Sequence, residues 1–216
     1  NKNVTPREGD KADVTFTTRV VNEDTWNVCV LPFETTPADI SEAFGYAAVD
    51  VLNQDADDGN IHFQIVTSGV IPAGTPFIFK PSKDAAGAVA DFNEVTFEDV
   101  VVVKSLANAA AGVYVDHGNT YQMDKAGNKF WGTFRVTSFY GKQYWYMTKG
   151  AWKDASKFTD AKPVSLKAFR AFVEFVTPAA GRIFIEEPDG TETSIDAIIN
   201  TACCKTNCFI IGCVVA

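Results

Sequence analysis

Turn-forming residues cut this chain into about a dozen short β-prone runs, and only one stretch has both the spacing and the end signals of a helix. Residues 14–21 (VTFTTRVV) are β-branched with partial alternation, the mark of a half-buried strand. Residues 26–33 (WNVCVLPF) are apolar throughout, which predicts a central strand covered on both faces and ended by Pro32. Residues 47–52 and 61–67 flank the turn Asp57-Asp58-Gly59-Asn60, and Ile61, Phe63 and Ile65 alternate in the second run, so the pair reads as a hairpin. Further strands are expected at 75–80, 94–104, 112–115, 120–123, 129–137, 143–148, 166–176, 182–187 and 191–195.

The helix is short. Thr36 is placed to cap it, Pro37 suits its first position, Asp39 favours the first turn and Gly45 closes it. Ile40, Ala43 and Phe44, three and four residues apart, share one side, which predicts a helix lying on a sheet as a lid. Connections are nearly all of hairpin length, and strands do not alternate with helices as parallel sheets require. The expected fold is all-β: an antiparallel β-sandwich or distorted barrel with one short helix. The Ala-rich stretches 85–90 and 106–112 read as loops or single helical turns.

An apolar share of 46% in 216 residues is ample for one large core, so one domain is expected rather than two small lobes. Residues 1–11 read as a linker, 12–198 as the sandwich-like domain and 199–216 as an atypical Cys-rich tail. Nineteen basic against 27 acidic side chains, a formal charge of −8, would repel phosphate backbones and anionic lipid, which argues against a nucleic-acid partner. No apolar run approaches the roughly 20 residues of a membrane helix, and membrane insertion is not expected. The chain opens at Asn1 without a basic segment and apolar core, so its start is expected to be processed or excised.

The reactive residue types offer little. Cys203, Cys204, Cys208 and Cys213 lack the C-x-x-C spacing that lets one turn hand two sulfurs to a tetrahedral ion, and no histidine lies near them. Cys29 lies inside an apolar strand with no basic neighbour in sequence, the setting of an inert core thiol. His62 is expected to point outward between Ile61 and Phe63, and His117 sits in the turn Asp116-His117-Gly118-Asn119, so neither reads as a general base. Asp55, Asp57, Asp58 and Asn60 surround Gly59 without the spacing of a calcium loop, and read as a solvated turn. Glu186, Glu187 and Asp189 around Pro188 read the same way. No catalytic residue, metal site or cofactor is expected.

Aromatic density is the one feature that points to binding. Trp131, Phe134, Phe139, Tyr140, Tyr144, Trp145, Tyr146 and Trp152 crowd a single stretch. In the run 143–148, Tyr144 and Tyr146 must project to one face and Trp145 to the other. Exposed rings with polar edges can stack on sugars or anchor a protein partner, so Trp131, Tyr140, Tyr144, Tyr146 and Trp152 are the expected ligand-binding residues. Aromatics are also favoured strand residues, and loops or a second sheet covering both faces would account for them without a ligand.

Several segments together resemble a known module: WNVCVLPF at 26–33, IPAGTPFIFKP at 71–81, FWGTF at 130–134, AFRAF at 168–172 and DGTET at 189–193. Their order and spacing resemble the C-terminal β-rich module of secreted or surface proteins of gut-type anaerobic Gram-negative bacteria, found behind leucine-rich or other adhesin-like repeats. The resemblance covers roughly residues 12–196 and implies an architecture and an extracellular location, with no assigned activity. Such modules continue past the Asp-Gly-Thr segment into a short polar strand ending near a basic cluster. Here the chain enters the Cys-rich tail instead, which reads as a frameshifted or truncated end.

The expected function is that of a non-enzymatic secreted or cell-surface module, a structural or adhesin-like element with weak glycan or protein binding through aromatics. The alternative is a carbohydrate-active enzyme with two carboxylates in a cleft, separated by about 5 to 9.5 Å. A third reading is a subunit that adds a strand to a partner's sheet edge. The sequence carries no signal of oligomeric state.

Overall fold

Strand alternation sorts the apolar residues of this chain into more than one layer, and the computed structural model shows how. It describes residues 10–16, 21, 24–45, 47–82, 95–101, 110–177 and 181–196, with the side chains of 195 and 196 excepted. The Ala-rich stretch 85–90, most of 106–112 and the Cys-rich tail lie outside them. In chain order the strands are β1 (Lys11–Phe16), β2 (Asn27–Val30), β3 (Ala47–Leu52), β4 (Ile61–Ile65), β5 (Pro76–Pro81), β6 (Val95–Val101), β7 (Tyr114–Asp116) and β8 (Asn119–Met123). They continue as β9 (Lys129–Thr133), β10 (Thr137–Phe139), β11 (Gly141–Thr148), β12 (Ala151–Ala155), β13 (Val164–Leu166), β14 (Arg170–Glu174), β15 (Arg182–Glu186) and β16 (Glu192–Asp196). The single described helix, α1, spans Pro37–Phe44.

Two six-stranded sheets form the sandwich. The first runs β12-β11-β14-β9-β8-β7 and the second β16-β15-β4-β3-β5-β2. Between them Phe63, Ile78, Ile183 and Ile185 of the second sheet meet Phe130, Trp145, Trp152 and Val173 of the first in one buried cluster. The approach is close at Gly132, where a Cβ would come within 2.7 Å of the Val30 side chain and 3.0 Å of Thr120 Oγ1. Thr120 is buried there and donates its hydroxyl to the Gly74 carbonyl, 2.6 Å away, tying the sheets together with a satisfied polar contact.

The other face of the second sheet is buried too. Cys29, Val49, Phe77 and Phe79 project to that side and pack beneath Ile40 and Phe44 of α1 and Val95 and Phe97 of the β1–β6 ribbon. The helix lies as a lid, as its apolar stripe predicts. Thr36 Oγ1 accepts from the Asp39 amide at 3.1 Å while Asp39 accepts from the Thr36 amide at 2.8 Å, a reciprocal capping box. A small two-stranded sheet, β10–β13, covers part of the first sheet's outer face, burying Phe139 and Val164 against Phe172.

The fold is therefore an all-β sandwich with one short helix, and several local expectations need correction. The run 26–33 is not a central strand. β2 pairs with β5 alone and lies at a sheet edge, yet all four of its residues are buried because layers cover both of its faces. Continuous apolarity reports two covered faces, not two hydrogen-bonded neighbours. The sheets are not wholly antiparallel: β15 pairs with β4 in parallel, Ile183 opposite Ile61. The chain leaves the second sheet after β5 and returns only with β15 at Arg182, once the first sheet is complete, so this pairing has no local signal.

Residues 129–137 split into β9 and β10. Of residues 166–176, only Leu166 ends β13 while Arg170–Glu174 form β14, with Phe169 left-handed at φ 60° between them. Strand β12 was not expected, and β1 opens at Lys11, one residue inside the stretch read as linker.

Candidate functional site

On the outer face of the first sheet, five aromatic side chains stand in direct register across five strands. Tyr114 on β7 faces Tyr121 on β8, Tyr121 faces Trp131 on β9, Trp131 faces Phe172 on β14, and Phe172 faces Tyr146 on β11. Directly opposed side chains on one face of an antiparallel pair are near enough to interact, and a period of two keeps each ring on the same side. Tyr114 and Tyr121 stack with centroids 5.1 Å apart, Tyr121 and Trp131 lie 4.6 Å apart, and Trp131 and Phe172 are 5.8 Å apart with planes 3° from parallel. The result is a ladder of rings running across the strands.

The two ends of the ladder differ. At the β11 end Phe139 stacks on Phe172 at 4.4 Å and meets Tyr144 at 5.3 Å, while Phe158 packs edge-on against Tyr146 at 6.1 Å. The β10–β13 sheet thus roofs that end. Burial, and secondarily the charge of Glu174, holds the Tyr144 hydroxyl above its ordinary pKa; burial, and then Asp154, does the same for Tyr146. Both phenols stay neutral donors at physiological pH. At the β7 end the ladder is open: Tyr114 is 45% exposed, Met123 beside it is 36% exposed, and Tyr121 and Trp131 are half-buried.

Charged groups edge the open end. The Trp131 indole donates to Glu174 Oε2 at 2.8 Å, which fixes the plane of the ring. Lys129 Nζ lies 3.7 Å from the same oxygen, 5.2 Å from the Tyr121 ring centre and 5.5 Å from that of Trp131. A half-exposed indole, a phenol, a carboxylate and an ammonium therefore share one shallow surface. Flat rings stack on the C–H faces of a sugar or on an apolar side chain, and the carboxylate and ammonium beside them can bond to hydroxyls.

Of the expected binding residues, the structure brings Trp131, Tyr144 and Tyr146 onto this face. Tyr140 is 46% exposed in the connection between β10 and β11. Trp152 is elsewhere. It points into the inter-sheet core at 5% exposure, stacked on Phe63 at 6.0 Å, and is not available to a ligand. Tyr114, Tyr121, Phe172, Lys129 and Glu174 escaped the sequence reading. Alternation placed each on a face, but only the register of β7, β8 and β14 puts them beside Trp131.

The remaining reactive groups have structural settings. Cys29 is fully buried. His62 points outward, stacks on Phe184 at 4.6 Å and contacts Asp58 at 3.1 Å and Glu192 at 3.3 Å, while His117 is exposed in its turn. Near the Gly59 turn, Asp55 pairs with Lys125 at 2.8 Å and Asp58 accepts from Asn60, and no cluster of three metal-ligating side chains occurs among the described residues.

At one end of the second sheet a buried carboxyl, Asp50, feels two others. Asp50 is 0% exposed, and its pKa is pushed up to about 8 by burial first and then by the charges of Glu186 and Glu187. Glu186 accepts from the Ile65 amide at 3.1 Å, and Glu187 pairs with Lys80 at 3.0 Å and accepts from the Trp26 indole at 3.4 Å. Asp50 is sealed in the core on the same face as Ile78, out of reach of a substrate.

Comparisons of the chain with protein-family models, with curated proteins and with solved structures found no match.

Proposed function

We propose that this chain is a non-enzymatic secreted or cell-surface module that binds a glycan weakly through the open end of its aromatic ladder. The observation that carries this reading is the direct register of Tyr114, Tyr121 and Trp131 on three adjacent strands, with Glu174 and Lys129 at the ring edges. A row of rings held by a sheet presents stacking surface at little conformational cost, because the backbone and the packing of neighbours already fix the side chains. An uninterrupted strip of half-exposed rings matches an extended, semi-rigid chain of sugar rings, each with an apolar face and hydroxyl edges. The extracellular assignment rests on the resemblance of the segments at 26–33, 71–81 and 168–172 to the surface module. A net charge of −8 suits partners that are neutral or do not depend on phosphate.

The test is a glycan array probed with the wild-type chain and with Trp131→Ala. Binding of neutral oligosaccharides that is lost in the variant supports the reading. Binding that survives the substitution, or an array without signal, overturns it.

A further inference from the structure

The β15–β16 hairpin is joined to the second sheet by little backbone pairing. β16 pairs with β15 alone, and β15 meets β4 through one short parallel ladder, Ile183, Phe184 and Ile185 opposite Ile61, His62 and Phe63. Ile183 and Ile185 are its buried anchors in the inter-sheet core. Beyond the ladder the fastening is done by carboxylates: Glu186 takes the Ile65 amide, while Glu187 takes Lys80 and the Trp26 indole.

Asp50 lies at the same place. Its backbone partner on β4 is Ile65, the residue whose amide Glu186 takes, and its partner on β5 is Ile78, two residues before Lys80. Its side chain points inward with Ile78, fully buried, and neither carboxyl oxygen has a hydrogen-bond partner among the described residues. Packing alone gives no reason for an acid here, since an apolar side chain would fill the site without the cost of burying unpaired oxygens. The charges that act on it come from the hairpin, Glu186 and then Glu187, and the cation on that part of β5, Lys80, is committed to Glu187. On the same face β4 turns Phe63 inward with His62 and Gln64 outward, and the first sheet brings Phe130, Trp145, Trp152 and Val173, none of them charged. Lys149 and Arg170 line a hollow beside Trp26 and Val28 of which Asp50 is not a part.

We propose that Asp50, Glu186 and Glu187 form a proton-operated latch: while Asp50 holds its proton the β15–β16 hairpin stays seated on β4, and loss of that proton releases the hairpin and bares the β4 edge. In the seated state an ionised Asp50 sets three carboxylates against one lysine at the buried end of the sheet, where a low dielectric magnifies their repulsion. β3 is held on both sides, by β4 and over five positions by β5, whereas the hairpin that carries Glu186 and Glu187 hangs on its one short ladder. Lifting off takes both glutamates into water and lets water reach Asp50, whose carboxyl then ionises near its ordinary value of 3.8. The exchange balances at one proton, bound in the seated state and free in the released one. Release therefore becomes easier by about 10-fold per pH unit from about 4 to about 8, and no further above that, where the seated Asp50 has lost its proton as well. The latch lies on the second sheet and does not depend on the reading of the aromatic ladder.

The test is native-state hydrogen exchange of the whole chain, followed by NMR from about pH 5 to about pH 9 at several urea concentrations, with each rate referred to that of the unstructured chain. The β15 amides are expected to exchange through an opening whose urea dependence is smaller than that of the central strands β9 and β14. Their protection is expected to fall about 10-fold per pH unit up to about pH 8 and then to level. Asp50→Asn, which keeps the shape of the protonated acid, is expected to hold that protection constant with the fold intact. Glu186→Gln keeps an acceptor for the Ile65 amide but removes one facing charge, and is expected to bring the levelling to a lower pH. His62→Gln cuts the contact of His62 with Glu192 on the outer face of the hairpin and is expected to keep the slope. One urea dependence shared by β15, β9 and β14, no fall in protection between about pH 5 and about pH 8, a fall that survives Asp50→Asn or one that vanishes in His62→Gln overturns the inference.

Discussion

Trp131 and Phe172 stand opposite each other on β9 and β14 with their ring planes 3° from parallel, and each extends the line of aromatics to a further strand. Phe172 sits under the roof made by Phe139, and Trp131 sits at the boundary where the roof ends. One residue thus anchors the ladder while its neighbour offers it to solvent.

That division predicts how two tryptophans will differ. Trp152→Ala empties a site in the inter-sheet core and should cost about 3–5 kcal/mol of stability, by removal of a large buried side chain with incomplete collapse around it. Trp131→Ala, at a half-exposed position, should cost less, and should abolish ladder binding. Urea unfolding of both variants checks the order.

Asp50 makes the stability of the chain depend on pH in a direction that can be worked out. The unfolded carboxyl ionises near its ordinary value of 3.8 and the native one only near 8, so between those values the native state holds a proton that the unfolded state has lost. Stability contributed at this site is therefore highest below about pH 4, falls as pH rises, and levels off above about 8, a total on the order of 4 kcal/mol by pH 7. Asp50→Asn removes the titration. The stability difference between Asp50→Asn and wild type should grow in favour of the variant by about 1.4 kcal/mol per pH unit within that window. Parallel stability curves from pH 4 to 8 would contradict this assignment.

Gly132 is required by proximity, not by its backbone conformation. Adding a methyl group presses it into Val30 from the facing sheet, so Gly132→Ala should destabilise by about 1–3 kcal/mol, the usual range for overpacking, with the outer-face ladder still in register. Thermal unfolding measures the loss.

The helix lid should respond to its cap. Thr36→Ala removes the acceptor for the Asp39 amide and should cost about 1 kcal/mol. The same change leaves the two sheets and the aromatic ladder untouched, which titration of the variant checks.

What could be read from the sequence was what depends on neighbours in sequence. Thr36, Pro37 and Asp39 specify the helix start within three residues, and alternation placed Tyr144 and Tyr146 on the face opposite Trp145. What could not be read depends on partners distant in the chain. Trp152 looks like a member of the aromatic run around Trp131, but β12 pairs with β11 so that Trp152 faces Met147 and both turn to the core. Tyr114 and Tyr121 fall before that run and join Trp131 only through strand register. β2 reads as a central strand because burial, not pairing, sets its composition, and the parallel pairing of β15 with β4 waits on residues more than a hundred positions away.

The central claim, that the open end of the ladder is a binding surface, is tested most directly by the ring-proton spectrum of the chain in the presence of neutral oligosaccharides at millimolar concentration. The account predicts shifts at Tyr114, Tyr121 and Trp131, with Trp145 and Trp152 unmoved. Shifts confined to other residues, or no shift at all, would contradict it.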